Sequence, residues 1–283
     1  MQPRTDLAME AKSLFEQSAG AQTQLPGVIA REQEKNGVRL HMVKIVSAEG
    51  VHALGKPRGV YMTATLDALS RREPGSFSHA ARLLARALRE LMGPCKSALV
   101  VGLGNREVTP DAIGPEAVRN LIVTRHLKDT FPESFAGLTR VAACQPGVLA
   151  QTGLESLALV QGVMRAVTPD VVIAVDALAA AAPEHLFRTV QLTDAGIVPG
   201  SGVGNSRAEF SRDTLGVPVV AVGVPTVVDA RSLFPSEDAP GGLLVTRTDA
   251  DARVRELGRL VGYACDLALH RGISLGEIPT YLA

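Results

Sequence analysis

The feature that most constrains the fold of this chain is a regular alternation of short apolar segments with segments of helical periodicity. It covers residues 98 to 270, and its apolar segments are only four to six residues long. Apolar strands that alternate with helices are typical of a mainly parallel sheet with helices on both faces. Strands are predicted at residues 98–103, 141–144, 171–175, 189–192 and 217–222, and helices at 115–126, 153–167, 207–215 and 249–270.

The first third of the chain has a different pattern and predicts an α+β extension of the α/β domain. Helices are expected at residues 6–16 and 76–92, strands at 38–46 and 60–66, a polar linker at 17–27 and a glycine-rich connection at 50–59. The simplest organisation is one domain, with an extension at about 7–95 and a core at about 96–283.

Charge and cysteine content exclude several classes of protein. The 283 residues contain 29 basic and 29 acidic side chains, and this zero net charge argues against direct nucleic-acid binding. The cysteines, Cys95, Cys144 and Cys265, are far apart, which disfavours a disulfide framework or a zinc site. The sequence contains neither an apolar leader nor a segment of membrane-spanning length. A cytoplasmic protein without membrane contact is therefore expected.

Ligands of open α/β sheets bind beyond the carboxyl ends of the strands, so the residues that follow each apolar segment are the candidates for chemistry. Asp111 lies on a proline-containing turn after the first predicted core strand, and Asp176 directly follows the segment at 171–175. The loop at 194–205 is rich in glycine, which favours close contact between backbone N–H groups and a ligand.

Two aspartates in one crevice would suit hydrolysis of an amide, with one ionised to activate water and the other protonated to polarise the carbonyl. For each residue taken alone, the more common role at such a position is to cap a helix. Asp194 and Asp229 are further carboxylates with the same ambiguity.

Other catalytic patterns are weaker. Ser201 is not part of a G-x-S-x-G nucleophile elbow, and none of the six histidines belongs to an H-E-x-x-H pair. Cys144 ends a predicted strand, where packing in the core is the more common role of a lone cysteine.

Six ordered segments resemble the germination proteases of endospore-forming bacteria. The similar strings are TDLAMEA at 5–11, VVGLGNREVTPDAIGPEAVRNLIVTRHL at 100–127, PGVLAQTGLE at 146–155, VVIAVDALAA at 171–180, TDAGIVPGSGVGNSR at 193–207 and GVPVVAVGVPTVVDA at 216–230. The resemblance implies an atypical aspartic endopeptidase with Asp111 and Asp176 as its catalytic carboxylates. It also implies a three-layer α/β/α sandwich, phosphorylase/hydrolase-like and similar to hydrogenase-maturation endopeptidases.

The resemblance further implies that the protein is a zymogen that forms a homotetramer and degrades small acid-soluble spore proteins in the cytoplasm of the forespore and the spore core. No cofactor is expected. The family cuts between an acidic and a large apolar residue, followed by Ala, any residue and Glu, and residues 6–10 are similar at every specified position. Self-cleavage between Asp6 and Leu7 is therefore expected to remove a propeptide, residues 1–6.

Substrate binding is expected in the glycine-rich loop, with basic side chains to receive acidic substrate residues. The loop candidates are Gly200, Ser201, Gly202, Gly204, Asn205 and Arg207, and the further basic candidates are Arg106, Arg125 and Lys128. The chain departs from the family pattern at Arg106, Glu107 and Ala181, and its stretch from 229 to 244 is short.

Two alternatives remain at this stage. In the first, the same aspartates bind a divalent ion, with Glu155 or His185 completing the site. In the second, the protein binds peptides without cutting them: the carboxylates are caps, and the glycine loop holds a peptide backbone.

Overall fold

A computed structural model describes residues 5–19, 25–35, 37–233 and 242–282. The strands are β1 Val28–Lys35, β2 Val38–Ile45, β3 Gly59–Thr65, β4 Ser97–Gly102, β5 Arg140–Cys144, β6 Val171–Ala180, β7 Thr189–Thr193, β8 Val219–Asp229 and β9 Leu244–Val245. The helices are α1 Ala8–Ala19, α2 Ala48–Leu54, α3 Asp67–Ser70, α4 Ser76–Met92, α5 Ile113–Arg119, α6 Arg125–Thr130, α7 Leu149–Thr152, α8 Ser156–Val167, α9 Arg212–Leu215, α10 Ala250–Leu269 and α11 Ile278–Leu282.

Within these ranges the strands form one nine-stranded mixed sheet. Its order is β1-β2-β3-β7-β8-β6-β4-β5, and β9 pairs with β8. The pairs of β4, β5, β6 and β8 are parallel, whereas β7 runs antiparallel to both β3 and β8. The sequence predicted that the core strands run parallel, and β7 is the exception. A parallel orientation would need a crossover connection, usually a helix, and the short connection between β6 and β7 leaves no room for one.

Helices cover both faces of the core, which confirms the predicted three-layer α/β class. Successive residues of β4 belong to different hydrophobic clusters, because successive side chains of a strand point to opposite faces of the sheet. Val100 joins the layer of α4, α5 and α10, whereas Leu99 packs with Val160 of α8. A third cluster joins α1 and α2 to the antiparallel strands through Ala8, Val43 and Ile45.

Several predicted boundaries change. The predicted helix at 115–126 is divided between α5 and α6, and the one at 207–215 shortens to α9. The edge strand β1 was not predicted, because its residues 31–34 are polar and exposed. No helix of the described ranges is both long and apolar enough to cross a bilayer.

The strand that carries Asp176 is longer than predicted. β6 continues to Ala180, so Asp176 lies within it rather than after it. β4 stops pairing at Gly102, opposite Val175. Asp176 is therefore the first residue of β6 that extends beyond the end of β4. The crevice expected from the sequence lies at this point of the sheet.

Candidate functional site

Asp176 is a buried carboxylate at the end of the β4–β6 pairing. Only 4% of its surface is exposed. Its Oδ1 accepts a hydrogen bond of 2.9 Å from the Ala177 N–H. On its other side the strand pairs with β8, where Gly223 is the partner of Asp176.

Asp111 reaches the same crevice from the loop that follows β4. It ends a short 3₁₀ turn, Thr109–Asp111, and its Oδ2 accepts a hydrogen bond of 2.7 Å from the Asn105 N–H. Gly104 makes this loop possible: its φ is +105°, and a Cβ there would lie 2.1 Å from the Asp111 carbonyl oxygen. A residue with a side chain would therefore clash with Asp111 and displace it.

The two aspartates differ in electrostatic environment. Burial raises the pKa of Asp176 well above its ordinary value, and the nearby charges of Asp111 and Asp6 add to this effect. Burial also raises the pKa of Asp111, whereas the Asn105 hydrogen bond opposes the rise. The pair can therefore hold a proton on Asp176 while Asp111 is ionised.

Both aspartates line a cleft of about 510 Å³ beyond the carboxyl end of β4 and beside residues 176–179 of β6. Among the predicted substrate-binding residues, Gly200, Gly202, Asn205 and Arg207 line it too, together with Asp6 and Glu155. Ser201 lines the adjoining cavity, which shares Asp6 and Gly202 with the cleft. The Arg207 guanidinium lies 3.9 Å from the Glu155 carboxylate.

The glycine-rich loop contacts Asp6 through the side chain of Ser201. The N–H groups of Ser201, Gly204 and Asn205 bond to carbonyl groups of the loop itself, so the expectation that they serve the substrate needs correction. The Ser201 hydroxyl instead donates a hydrogen bond of 2.9 Å to Asp6 Oδ1.

The segment around the predicted cleavage bond reaches this cleft through Asp6. Asp6 pairs with Ala179 of β6: its N–H donates to the Ala179 carbonyl at 3.0 Å, and its Oδ2 accepts from the Ala179 N–H at 2.8 Å. Lys56 Nζ holds the carbonyl of Thr5 at 3.1 Å. Leu7, on the other side of the bond, is completely buried in the main core cluster.

Gln191 holds the peptide on both sides of the Asp6–Leu7 bond. Its Nε2 donates to the Asp6 carbonyl oxygen at 3.0 Å, and its Oε1 accepts from the Ala8 N–H at 2.8 Å. Gln191 pairs with Gly223, which pairs with Asp176, so the side chains of Gln191 and Asp176 project from the same face of the sheet. Gln191 was not predicted from the sequence, in which the available signal was one amide side chain within the short strand β7.

Glu10 is the second carboxylate that this segment buries, with 5% of its surface exposed. It accepts hydrogen bonds from the N–H groups of Ala181 at 2.7 Å and Ala182 at 3.0 Å, and it lies 2.5 Å from Nδ1 of His185. Burial alone would raise the pKa of Glu10, but the bonds from His185, Ala181 and Thr5 hold it below its ordinary value.

Two predicted basic candidates lie away from the cleft. Arg125 donates to the carbonyls of Ala166 and Val167, and Lys128 donates to three carbonyls of residues 135–138. Lys128 lines a separate cavity at the amino ends of the strands, beside Ser97 and Arg140. The side chains of Arg125 and Lys128 are therefore bonded to backbone carbonyls outside the cleft. The prediction that these two residues face the substrate is wrong. Arg106 is exposed beside the cleft residue Asn105.

The remaining strand-end candidates have local partners. Asp194 accepts from the Val60 N–H, and Asp229 accepts from the Arg231 N–H. Burial raises the pKa of Cys144 to about 11, so its thiol is protonated at neutral pH. In the described ranges no three residues among His, Cys, Asp and Glu are grouped to hold a metal ion, and His185 is paired with Glu10.

A family model of the germination proteases matches residues 6–239. The chain belongs to the germination protease family. A germination protease of Caldanaerobacter subterraneus subsp. tengcongensis is 46% identical over 80% of this chain and 69% of its own length. One of Priestia megaterium is 46% identical over 81% of this chain, which spans 64% of that relative. One of Clostridium tetani is 33% identical over the full length of both chains.

Among solved structures, a nickel-iron hydrogenase maturation protease, HycI from Thermococcus kodakarensis KOD1, is similar to this chain with a TM-score of 0.37 and 16% identity. The match covers 63% of this chain and 97% of that one.

Proposed function

We propose that this protein is an endopeptidase that degrades small acid-soluble spore proteins during germination, and that it is made as a zymogen which cuts its own Asp6–Leu7 bond. The observation that carries the proposal is that Asp6, which precedes this bond, lines the same cleft as Asp111 and Asp176. Membership of the germination protease family supports it. The homotetramer and the location in the spore core are part of the same proposal.

In the proposed mechanism, ionised Asp111 removes a proton from a water molecule, which attacks the Asp6 carbonyl carbon. Asp176 holds the opposing proton on Oδ2, because its Oδ1 already accepts from Ala177, and donates it to the carbonyl oxygen. The Gln191 amide also faces this oxygen and stabilises the negative charge that develops there. The C–N bond then breaks as the Leu7 nitrogen takes the proton held by Asp111 and leaves as a free amine. A hydroxyl of the tetrahedral intermediate returns its proton to Asp176, and Asp6 ends the released peptide as a carboxylic acid.

Intact-mass analysis tests this proposal on the purified full chain with a small acid-soluble protein added. Wild type should lose residues 1–6 and cut the substrate, whereas Asp111→Asn and Asp176→Asn should do neither. The matched control is Asp129→Asn, because Asp129 is exposed outside the cleft and pairs with Arg140. Cleavage by both mutants would overturn the assignment of the aspartates, and the absence of cleavage in wild type would overturn the function.

A metal-dependent endopeptidase is the second candidate, because Glu155 joins Asp6, Asp111 and Asp176 as a fourth carboxylate in the lining of the cleft. In the described ranges these side chains are not grouped to hold a metal ion, so a cation would require them to move closer together. In a metal-dependent endopeptidase, EDTA would abolish cleavage and Glu155→Gln would reduce it. In the proposed aspartic endopeptidase, EDTA has no effect.

A further inference from the structure

We propose that Lys56 is a substrate-binding residue, whose ammonium group binds the backbone carbonyl of the residue that precedes the acidic residue of a peptide substrate. In the structure, Thr5 of the chain's own N-terminal segment supplies this carbonyl. The proposal rests on the proposed function. It adds a second binding cavity, on the side of the peptide that leads up to the bond to be cut.

Lys56 lines the cavity that adjoins the cleft of the two aspartates. This adjoining cavity has a volume of about 400 Å³, and it shares Asp6, Leu178 and Gly202 with the lining of the cleft. Thr5 lines the adjoining cavity but not the cleft. The chain therefore passes from the cavity to the cleft at Asp6, and a substrate on the same path would place its preceding residues in the cavity.

The charge of Lys56 is matched to this cavity. Lys56 is largely buried, and among the described residues that line the cavity it is the only cation. Burial lowers the pKa of Lys56, whereas the charges of Asp6 and Glu10 oppose the change. Within the described ranges the Thr5 carbonyl, at 3.1 Å, is the hydrogen-bond partner of the ammonium. The N-terminal segment thus supplies both the acceptor and the opposing charges.

Self-cleavage would leave this ammonium without its partner. The release of residues 1–6 takes away the Thr5 carbonyl and the Asp6 charge together. A buried charge without a partner raises the free energy of the folded protein. A peptide with a backbone carbonyl followed by an acidic side chain would replace both groups in the same order along its chain. The cleaved protein would therefore favour such a peptide.

The loop that carries Lys56 is fixed on both sides. Helix α2 ends before Gly55, which has a φ of +62°, and the Tyr61 hydroxyl donates a hydrogen bond of 2.9 Å to the Pro57 carbonyl. Tyr61 belongs to β3 and only 4% of its surface is exposed, so this bond ties the loop to the sheet. A side chain on a fixed loop binds its partner with less loss of conformational freedom.

A contact with a backbone carbonyl fixes the position of a peptide without selecting its sequence. Every peptide that passes through the adjoining cavity offers this acceptor, whatever its side chain at that position. A peptide that begins at its acidic residue lacks the carbonyl, and its free amino terminus would bring a second positive charge towards Lys56. Lys56 therefore favours cleavage inside a chain over removal of an acidic residue from an amino terminus.

Two peptides that differ only in one acetamide group test the proposal. Both have the sequence of residues 6–12 with a dye on the last side chain. The first residue is acetylated in one peptide, and in the other its amino group is replaced by hydrogen. Binding is measured by fluorescence anisotropy on the full-length chain with Asp111→Asn, which should prevent cutting, and Asp6→Ala, which removes the contacts of that carboxylate with Ala179 and Ser201. The acetylated peptide should bind more tightly.

Substitutions assign the difference to Lys56. The peptide without the acetamide group also lacks the N–H that Asp6 donates to the Ala179 carbonyl, so the ratio of the two affinities has two sources. Lys56→Met, which keeps the length of the side chain but removes its charge, should reduce this ratio about tenfold. Lys56→Arg should retain part of it. Lys44→Met is the matched control, because Lys44 is exposed on β2 and lines neither cavity. Thermal unfolding checks that the variants fold.

The outcomes separate this proposal from the proposed function. A ratio that survives Lys56→Met, an equal reduction by Lys44→Met, or binding of neither peptide would overturn the role of Lys56. If wild type cuts both peptides and Lys56→Met leaves the ratio of their kcat/KM values unchanged, the function stands and the role of Lys56 is wrong. If wild type cuts neither peptide but the acetylated one binds through Lys56, the binding site stands and the proposed function is wrong.

Discussion

Gly202 lies so close to Asp6 that a Cβ on Gly202 would be 2.0 Å from the Asp6 Oδ2 atom. The same Cβ would lie 2.6 Å from the Ala179 Cβ. Gly202→Ala should therefore force the Asp6 carboxylate away from the Ala179 N–H and slow self-cleavage at least about tenfold, the factor expected for loss of one charged hydrogen bond. The rate of mass loss from the intact chain measures the effect.

Gly162→Ala is the control for this prediction, since the nearest atom to a Cβ at Gly162 is 3.9 Å away. It should leave self-cleavage unchanged. If Gly202→Ala cuts itself as fast as wild type, the observed position of Asp6 is not the reactive one.

Gln191→Met should slow cleavage of the Asp6–Leu7 bond about 100-fold, the typical effect of removing one donor from an oxyanion. Methionine has a similar length but cannot donate to the Asp6 carbonyl or accept from the Ala8 N–H. Gln161→Met is the matched control, because the exposed Gln161 bonds only to the Thr214 carbonyl. Single-turnover cleavage rates of the two variants should differ accordingly, and equal rates would remove Gln191 from the mechanism.

Asp176→Asn should stabilise the folded protein at neutral pH while it abolishes cleavage. Burial and the Asp111 charge raise the pKa of Asp176, so between pH 3.8 and the higher folded value the folded state holds a proton that the unfolded state has lost. Stability falls across this window by about 1.4 kcal/mol per pH unit as pH rises. Asparagine does not titrate, so Asp176→Asn avoids this pH-dependent loss of stability.

Urea unfolding at pH 7 and below pH 3.8 measures the difference. The free energy of unfolding of Asp176→Asn should exceed that of wild type at pH 7, and the excess should disappear at the lower pH. Asp129→Asn should show no such gain. A variant less stable than wild type at pH 7 would contradict the buried, protonated state of Asp176.

Glu10→Gln should destabilise the protein by roughly 1.5–3 kcal/mol at neutral pH, because it weakens charge-assisted hydrogen bonds to a buried group. The pKa of Glu10 is lowered in the folded state, so this contribution is present above the ordinary value of 4.5 and is lost as pH falls through the folded value. The difference between wild type and Glu10→Gln in urea unfolding should therefore shrink below pH 4.5. Glu16→Gln on the same helix removes only the pair with Lys12 and should have a small effect.

The sequence predicted the helix Ser76–Met92 without error, because its apolar residues follow a regular helical period between two glycines. It also selected Asp111 and Asp176 as candidates, since both follow apolar segments, and the two residues line the same cleft. It could not predict that the N-terminal segment enters the cleft, because the contacts of Asp6 and Glu10 with the end of β6 join residues more than 170 positions apart. Gln191 was missed for the same reason: its role depends on the β7–β8–β6 pairing, and no local pattern encodes it.

Main-chain amides bind the carboxylates of both Asp6 and Glu10, and this limits the ways in which the attachment of the N-terminal segment can be weakened. Substituting Ala179, Ala181 or Ala182 by any residue other than proline would leave these donors in place. A variant with weaker contacts to the two carboxylates would therefore have to change Ser201 and His185, whose side chains supply contacts that a substitution can remove.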